Sequence, residues 1–303
     1  AATNSIWELL DSKAFMVVSS NLTEEQNVAA IPIKQATRAG AKLIVIDQRE
    51  TELTRHASLW IRPKPGTESI VIGGIIRSIF DETLEDRSFL SNNCHNLDNF
   101  RGSLWEFDHI KVERLTGVSQ EDIRTAARLF AAASLGSILF GLETVRPELT
   151  SDCVRALVNL ALSTGNIGKP SCGLYPLFGG ANHQGSLDVG CAPVHLPGYR
   201  DLGESEDLNT PDSDGIRLSA LAEAMSRGQV KALQLLGNSP NFLNGEIGPF
   251  LEALTAVEFL VVHDSFPSEI TEVADVILPI STFAEISGTF TNMERRVQML
   301  RPA

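Results

Sequence analysis

Residues 15–47 read FMVVSSNLTEEQNVAAIPIKQATRAGAKLIVID, and this stretch decides the fold. Its two ends, Phe15–Ser19 and Lys42–Asp47, are short apolar runs rich in β-branched residues, which are typical of buried parallel strands. Between them, Thr23–Gln26 has the spacing of a capping box and predicts the start of a helix. Pro32 falls inside that helix and predicts a kink or a later start. The stretch therefore predicts a strand–helix–strand unit.

The same alternation of apolar runs and helical patterns continues to residue 162. The predicted elements are a strand at Leu59–Ile61, a helix from Thr67 to Phe80, short helices and turns over 86–115, a helix from Ser119 to about Ala133, a strand at Ile138–Gly141 and a helix at Asp152–Leu162. Strands that alternate with helices form a parallel sheet with helices on both faces. The sequence therefore predicts an α/β fold.

Residues 163–199 interrupt this pattern with eight glycines and four prolines. That many breakers argue against a regular helix or a long strand. The stretch also carries donors and acceptors that loops use to bind ligands, and long loops inside compact domains are often functional. Two interpretations stay open, a surface linker between two lobes and a ligand-lined crossover, and the flanking sequence favours the crossover. An acidic segment, Asp201–Asp214, follows and is expected to be mobile.

After the acidic segment the alternation begins again. Its predicted elements are a helix at Ile216–Gly228, a strand at Lys231–Leu236 that ends in Gly237-Asn238-Ser239-Pro240, a helix to Leu254, a strand at Phe259–Val262 that ends in His263-Asp264, and a strand at Val276–Leu278 that ends in Pro279. We therefore predict a first dinucleotide-binding α/β domain over residues 1–176, a Gly/Pro-rich crossover with an acidic loop over 177–214, and a second, incomplete dinucleotide-binding α/β domain over 215–303.

The two halves repeat the same spacing. Asp47 lies 26 residues after Asn21, and Asp264 lies 26 residues after Asn238. A polar turn that feeds a helix presents free N–H groups to phosphate, and an acidic residue at the end of the next strand accepts hydrogen bonds from ribose hydroxyls or a guanine edge. The internal pseudo-repeat therefore predicts two doubly wound, Rossmann-like nucleotide-binding domains, although two such sheets can share a spacing by chance.

Composition and charge argue against several classes of protein. A net charge of −13 disfavours nucleic acid or an anionic membrane as the main partner, and no apolar run reaches the ~18 residues that a membrane span needs. The four cysteines are scattered without a CxxC pair and the six histidines are dispersed, so no metal ligands and no catalytic residues are assigned. Without GxGxxG after a strand or a GxxxxGKS/T motif, an ordinary nicotinamide-binding Rossmann domain and a P-loop are both poorly supported.

The segment Ala274–Gln298, which reads ADVILPISTFAEISGTFTNMERRVQ, resembles a signature of the molybdopterin oxidoreductase superfamily. It is most similar to formate dehydrogenase α subunits and to the related G subunit of NADH–quinone oxidoreductase (complex I). The resemblance covers essentially the whole chain through Ser20-Asn21, GAKLIVIDQRET (Gly40–Thr51), PGTE (Pro65–Glu68), TGVSQEDIRTAARLFA (Thr116–Ala131) and ALVNLALSTGNIGKP (Ala156–Pro170). In that family two central α/β domains each bind one molybdopterin guanine dinucleotide, and the resemblance implies the same arrangement here.

The resemblance also implies cofactor-binding residues in both halves. The matching positions are Ser19, Ser20, Asn21, Asp47, Arg49, Gly66, Thr67 and Gly141 in the first, and Gly237, Asn238, Pro240, Asp264, Phe266, Thr282, Glu285, Gly288, Thr289 and Asn292 in the second. Phosphate contacts are expected at the turns and guanosine contacts from the two aspartates. Where the family usually has Gly-Glu-Asn-Pro, residues 237–240 read Gly-Asn-Ser-Pro, which puts the contact from that asparagine in doubt.

The chain is expected to be a central piece of a longer polypeptide. The family's N-terminal iron–sulfur module, its molybdenum-ligating cysteine or selenocysteine and its C-terminal domain have no counterpart in the sequence. The cofactor, with molybdenum or tungsten, is therefore expected in the parent protein and not in this fragment, and iron–sulfur clusters only in the missing N-terminal part. The expected partners are other subunits of a respiratory or formate dehydrogenase complex, in the cytoplasm or at the inner face of the membrane through those subunits. An alternative is a redox-inactive structural domain of a respiratory complex that has lost its cofactor.

One position bears on the substrate. Formate dehydrogenases carry an arginine in the crossover loop, in a run such as Asn-Pro-Val-Arg-Gly-Gln-Asn-Asn. Here the run Tyr175–Asn182 reads YPLFGGAN, and Phe178 stands where that arginine would fall. Because the guanidinium fork of an arginine holds both oxygens of a small carboxylate, we expect the parent protein to be a poor formate oxidiser.

Overall fold

The structure is a computed structural model that describes residues 1–141, 147–201, 214–237 and 247–303. The chain forms two compact units: unit 1 is residues 1–183 with 292–296, and unit 2 is residues 184–291 with 297–303. Most of the acidic segment expected to be mobile, together with Asn238, Ser239 and Pro240, lies outside the described residues. The domain boundaries predicted at residues 176 and 214 stay a prediction.

Unit 1 is built on a five-stranded parallel sheet in the order β3-β2-β1-β4-β5. Its strands are β1 (Ala14–Val18), β2 (Lys42–Ile46), β3 (Leu59–Ile61), β4 (Gly136–Gly141) and β5 (Gly173–Leu177). Its helices are α1 (Leu22–Glu25), α2 (Asn27–Arg38), α3 (Glu68–Asp81), α4 (Arg87–Asn93), α5 (Leu97–Ser103), α6 (His109–Thr116), α7 (Gln120–Ala131) and α8 (Pro147–Ser163), with 3-10 helices at Ile6–Asp11, Leu53–His56 and Leu104–Phe107. The first four strands lie where the sequence predicts them, to within two residues at each end.

Both faces of this sheet are covered, because every strand alternates its side chains between two cores. Met16 and Val18 point to the face that packs against α3, α7 and α8. Phe15 and Val17 point to the opposite face, which packs against α2 and the 3-10 helix Ile6–Asp11. The predicted doubly wound α/β fold is confirmed for this unit.

The Gly/Pro-rich stretch contains a strand that the sequence did not predict. β5 is an edge strand, where the missing N–H of Pro176 disturbs only one side of the ladder. Its side chains are mostly buried, so the interpretation of the stretch as a surface linker is wrong for Gly173–Leu177.

Unit 2 carries a smaller parallel sheet in the order β10-β9-β8. The elements from residue 183 onward are α9 (His183–Asp188), β6 (His195–Leu196), a 3-10 helix Pro197–Tyr199, β7 (Arg200–Asp201), α10 (Leu218–Ser226), β8 (Ala232–Leu236), α11 (Ile247–Leu254), β9 (Phe259–Asp264), α12 (Glu269–Glu272), β10 (Val276–Pro279), β11 (Gly288–Thr291) and β12 (Val297–Leu300). Leu260 and Val262 pack with Met225 of α10 and Phe250 of α11 in a core on one face. On the other face Leu236 and Phe259 are 73% and 48% exposed.

The predicted helix starts have mixed outcomes. Ser119 caps α7 as expected, because its Oγ accepts the backbone N–H of Asp122 at 3.1 Å. The capping box at Thr23–Gln26 is wrong: Asn21 is the N-cap of α1, and the hydroxyl of Thr23 bonds to the Asn21 side chain instead. The late start expected at Pro32 is also wrong, since the helices break at Gln26 and α2 runs through the proline, while the kink stays a prediction. Among the described residues no helix combines the length and apolarity that a membrane crossing requires.

Candidate functional site

In each parallel sheet the first strand ends in a left-handed turn. Ser19 follows β1 with a φ of 48° and Gly237 follows β8 with a φ of 75°. The backbone N–H of Ser19 donates to the carbonyl oxygen of Ile46 at 2.9 Å, and that of Gly237 donates to the carbonyl oxygen of His263 at 2.8 Å. Each acceptor directly precedes the predicted aspartate of its unit. The left-handed conformation is rare for a serine and is commonest at functional sites.

The first predicted carboxylate, Asp47, follows β2 directly and is 5% exposed. Its Oδ1 accepts the backbone N–H of Arg49 at 2.8 Å, which closes a tight turn at the strand end. The guanidinium of Arg49 stays mostly exposed, with its Nε 3.7 Å from the same oxygen. The other oxygen, Oδ2, is buried and has no hydrogen-bond partner.

The second predicted carboxylate, Asp264, is the last residue of β9 and has the same arrangement. Its Oδ1 accepts the backbone N–H of Ser265 at 2.7 Å and that of Phe266 at 3.3 Å. Its Oδ2 is also buried without a partner. A buried acceptor left unpaired costs about 1–3 kcal/mol, so two of them at matching positions call for a function.

The repeat extends to the strand that follows each aspartate. Leu43 of β2 exchanges two hydrogen bonds with Ser58: its carbonyl accepts the Ser58 N–H, and its N–H donates to the Ser58 hydroxyl. Leu260 of β9 makes the same exchange with Asp275, through the backbone N–H and the carboxylate. Both leucines precede their aspartate by four residues. The predicted internal repeat is therefore present in the hydrogen bonding itself.

The sequence spacing locates the turns only approximately. Strand register pairs Val18 with Ile46 and Leu236 with His263, so the turn residues that match are Ser19 and Gly237. Ser19 precedes Asp47 by 28 residues and Gly237 precedes Asp264 by 27. Asn21 and Asn238, although both lie 26 residues before their aspartate, are therefore not at matching positions of the two turns.

A cleft of about 210 Å³ opens at the carboxyl ends of β1, β4 and β5 in unit 1. In open α/β sheets ligands bind at this place, where the strand order reverses between β1 and β4. Gly141 ends β4 here, and a side chain on it would overlap the carbonyl oxygen of Ser19. The hydroxyl of Ser20, in the same turn, is buried without a partner. The turn beside the cleft therefore combines bare backbone with a hydroxyl group that has no partner.

One wall of the cleft is aromatic. Phe178 follows β5, and its ring stacks on His183 with the centroids 4.5 Å apart and the planes 13° apart. The side-chain amide of Gln26 donates to the carbonyl oxygen of Phe178 at 2.6 Å, which ties the loop to the break between α1 and α2. Sequence reasoning did not select Gln26, and it noted His183 only as one of several polar residues of the Gly/Pro-rich stretch. No sequence signal singles out Gln26, because the helix break that frees it is visible only in the structure.

The remaining predicted residues of unit 1 lie in turns. Gly66 has a φ of 79°, and Thr67 occupies the N-cap position of α3, although its hydroxyl donates to the carbonyl oxygen of Lys64 at 2.7 Å. The structure thus places both residues at the start of a helix.

In unit 2 the predicted residues are held by their own loops. Glu285 accepts the backbone N–H of Thr282 at 2.8 Å and its hydroxyl at 3.0 Å, and these bonds lower the pKa of Glu285. Gly288 and Thr289 lie in β11. The side-chain oxygen of Asn292, counted with unit 1, accepts the backbone N–H groups of Glu294 and Arg296. Phe266 is 68% exposed. Asn238 and Pro240 lie outside the described residues.

The described cysteines and carboxylates form no group of three that could hold a metal ion. All four cysteines are free thiols. Burial raises the pKa of Cys153 to about 12, so this thiol is protonated at neutral pH. The groups available at the strand ends therefore suit binding: buried acceptors, turn N–H groups, and a glycine that lets the Ser19 turn approach β4 closely.

A doubly wound parallel sheet with a repeated strand-end carboxylate and a cleft at the strand ends has the architecture of a Rossmann-like α/β protein. The comparisons with known proteins specify which kind: the family model for molybdopterin oxidoreductase matches residues 1–303, and the chain belongs to this family.

Its relatives include F420-dependent formate dehydrogenase 2 subunit alpha of Methanococcus maripaludis, 35% identical over 310 residues, with 100% of this chain and 46% of that protein covered. NADPH-Fe(3+) oxidoreductase subunit alpha of Geobacter sulfurreducens is 35% identical over 309 residues, with 100% of this chain and 36% of that protein covered. The fold matches acetylene hydratase from Pelobacter acetylenicus with a TM-score of 0.73 at 22% identity, over 99% of this chain and 45% of that one. The chain thus spans less than half the length of these relatives.

Proposed function

We propose that this chain is the central nucleotide-binding portion of a molybdopterin-dependent oxidoreductase subunit, and that each unit binds the guanosine end of one molybdopterin guanine dinucleotide. One observation carries the proposal: Asp47 and Asp264 each keep one carboxylate oxygen buried and unpartnered at an equivalent strand end. A guanine carries adjacent N–H donors on one edge, at N1 and at the exocyclic amine. A buried carboxylate oxygen is the acceptor that such an edge satisfies.

The residues of unit 1 fit the rest of a dinucleotide. The unpartnered hydroxyl of Ser20 and the left-handed turn at Ser19 would meet the phosphates, and Gly141 lets that turn lie close against β4. Asp47 would hold the guanosine. When bound, the pterin brings a molybdenum or tungsten ion that exchanges electrons with the substrate.

In unit 2 the same roles fall to Gly237 and Asp264. Phe266, two residues beyond the carboxylate, presents an exposed ring where unit 1 has Arg49. A flat aromatic side chain gives a base a stacking surface, whereas a guanidinium gives phosphate or carbonyl oxygens a donor. The two sites would therefore bind the same nucleotide through an aspartate, with a guanidinium beside it in unit 1 and an aromatic ring beside it in unit 2.

The parent protein is, on this proposal, an α-type subunit that works with other subunits on the cytoplasmic side. Two of the relatives named above are alpha subunits of oxidoreductases, and one of them is a formate dehydrogenase. That favours a formate-dehydrogenase-like parent over a complex I-type G subunit.

A guanosine monophosphate (GMP) titration of the 303-residue chain tests the proposal without the metal or the pterin. We expect roughly millimolar binding, weakened about tenfold or more by Asp47→Asn or Asp264→Asn, because the amide keeps the oxygen that closes the turn but turns the buried acceptor into a donor. Asp98→Asn, an exposed change on α5, is the matched control and should bind like the native chain. Adenosine monophosphate (AMP), which lacks the paired N–H edge, should bind more weakly. Equal binding of GMP and AMP, or native affinity in both variants, would contradict the proposal.

A further inference from the structure

A second cavity in unit 1, of about 340 Å³, lies among the helices and away from the strand ends. Its lining includes three arginines, two aromatic rings and two carboxylates, of which Glu85 is buried: Arg77, Phe80, Asp81, Glu85, Arg87, Arg101 and Trp105. None of these residues belongs to the site described above. The cavity is notable in a chain whose net charge is −13.

The charges in this cavity do not balance. The Glu85 side chain is 2% exposed, and its Oε1 accepts from Nε of Arg87 at 2.9 Å and from Nη2 of Arg101 at 3.3 Å. Its Oε2 is buried without a partner. One carboxylate therefore serves two guanidinium groups and leaves a net positive charge. Each guanidinium has five N–H donors, and Arg87 and Arg101, with side chains 68% and 44% exposed, each give only one hydrogen bond to a described residue of the chain.

A neighbouring ion pair shows that this imbalance is not general in the helical layer. Arg128 forms a bidentate pair with Glu82, at 2.7 and 2.9 Å, and its Nη1 lies 3.8 Å from Glu121, so one arginine there meets two carboxylates. Arg77 likewise pairs with Asp81 at 2.8 Å. Only the Glu85 cluster, among these, combines two arginines with one acid.

The same cavity presents an aromatic surface. Trp105 is 73% exposed, and the guanidinium of Arg77 lies 4.0 Å from the centroid of its ring. The guanidinium of Arg101 lies 5.3 Å from the ring of Phe80. Arginines stacked on rings fix these flat surfaces in place and leave one face of the indole open. A large exposed indole beside spare guanidinium donors is the composition of a binding site rather than of a solvated helix face.

We propose that this cavity binds a small aromatic anion, that is, a planar ring carrying a carboxylate or phosphate group. The anionic group bridges Arg87 and Arg101 and balances the excess charge of the Glu85 cluster. The ring lies against Trp105. Carboxylate and phosphate share this recognition chemistry, since both accept paired N–H groups from arginine.

The indole N–H signal of Trp105 in a proton–nitrogen NMR spectrum reports on the cavity, and its absence in Trp105→Phe assigns it. The 303-residue chain is titrated with phenyl phosphate, benzoate, inorganic phosphate and phenol. We expect phenyl phosphate or benzoate to move this signal saturably and to bind about tenfold or more tightly than inorganic phosphate or phenol, because only they use both halves of the site. The tighter of the two aromatic anions identifies the anionic group.

Variants of Arg87 and Arg101 test whether the anionic group binds to these two arginines. Arg87→Met and Arg101→Met keep the apolar stem and should each weaken the aromatic anion about tenfold. Arg87→Lys keeps the charge but loses the fork, and should weaken it less than Arg87→Met does. The matched control is Arg227→Met, which removes an exposed, ion-paired arginine of α10–β8 and should change nothing.

Two results would overturn this proposal. In one, inorganic phosphate binds as tightly as phenyl phosphate, which leaves no role for the ring. In the other, the Arg87 and Arg101 variants titrate like Arg227→Met. Asp47→Asn should leave the Trp105 titration unchanged, so the outcome is separate from that of the guanine nucleotide experiment.

Discussion

The sheets of unit 1 and unit 2 share a strand-end arrangement but differ in how they are buried. Val18 and Leu236 occupy matching positions, each the last residue of its strand before a left-handed turn. Val18 is 1% exposed beneath a layer of helices, whereas Leu236 is 73% exposed. Yet Asp47 and Asp264 end up with the same turn hydrogen bonds and the same unpartnered oxygen.

The comparison shows that the position of the Asp47 and Asp264 carboxylates does not depend on how deeply the surrounding sheet is buried. The position comes from strand pairing and from backbone bonds at the turn, which need only one covered face. The second covered face adds apolar burial, at about 25 cal/mol per Å². We therefore expect unit 1 to tolerate fewer changes in its core, and both units to depend on the same local geometry for binding.

The largest effect of a substitution is expected on formate use, at Phe178 in the cleft of unit 1. Burying the charge of formate against Phe178 without a cation costs several kcal/mol, or about two orders of magnitude in affinity. In the full-length protein Phe178→Arg should therefore lower the formate concentration at half-maximal dye reduction about 100-fold. Phe283→Arg, at an exposed phenylalanine of unit 2, is the control. Efficient formate oxidation by the unaltered protein would contradict this prediction.

The difference in burial predicts unequal losses of stability. Ile44→Ala on β2, at a residue with 0% exposure, should lower the free energy of unfolding by about 2–5 kcal/mol. Val261→Ala, at the matching position of β9, should cost less than about 1 kcal/mol. Tryptophan fluorescence in urea follows unit 1, because all three tryptophans lie in it, and circular dichroism follows the whole chain. Equal losses would mean that the open face of the second sheet is covered in solution.

Two glycines test the close approach at the turn. Gly141→Ala should cost about 1–3 kcal/mol and weaken GMP binding, since the new methyl group overlaps the carbonyl oxygen of Ser19. Gly288→Ala in β11 meets nothing within 4 Å and should leave stability within about 0.5 kcal/mol. If Gly141→Ala binds GMP normally, the bare backbone at that position is not used by the ligand.

The smallest expected effect is on acid stability. The carboxylate of Glu8 accepts the backbone N–H of Ser171 at 2.8 Å and the side chain of Asn4 at 3.0 Å, and these bonds lower the pKa of Glu8. Because the folded pKa is below the unfolded one, this stabilisation is complete above the unfolded pKa and disappears as the pH falls through the folded pKa.

Glu8→Gln should therefore cost about 1 kcal/mol near pH 7 and nothing in strong acid. The change is measured from thermal unfolding across that pH range. Glu285→Gln in unit 2, where the carboxylate is exposed, should change stability less. A cost for Glu8→Gln that does not depend on pH would assign the effect to packing.

Local patterns predicted the first sheet well, because its strands are short apolar runs bounded by polar turns. They failed where tertiary pairing overrides local chemistry. Gly173–Leu177 forms a strand despite its glycine and proline, since the edge of the sheet offers it a partner. The helix break at Gln26 was missed because Thr23–Gln26 satisfies a capping pattern that the chain does not use.

The residues at the strand ends were predictable from the sequence, but their hydrogen bonds and contacts were not. Asp47 and Asp264 follow apolar runs, so their place at the strand ends could be inferred. Which oxygen stays free depends on the backbone of the next residues, and no spacing encodes it. The stacking of Phe178 on His183, five residues later, and the pairing of Glu85 with Arg101, 16 residues later, depend on the path of the loops between them, which no local pattern encodes.

The most direct test of the account is the amount of guanine nucleotide released by acid from the full-length protein, measured together with molybdenum and tungsten. The account predicts two guanine nucleotides per polypeptide in the native protein, and a fall toward one in Asp47→Asn and likewise in Asp264→Asn. A native protein without guanine nucleotide and without either metal would support a redox-inactive structural domain instead. Two nucleotides retained in both variants would contradict the assignment of the two carboxylates.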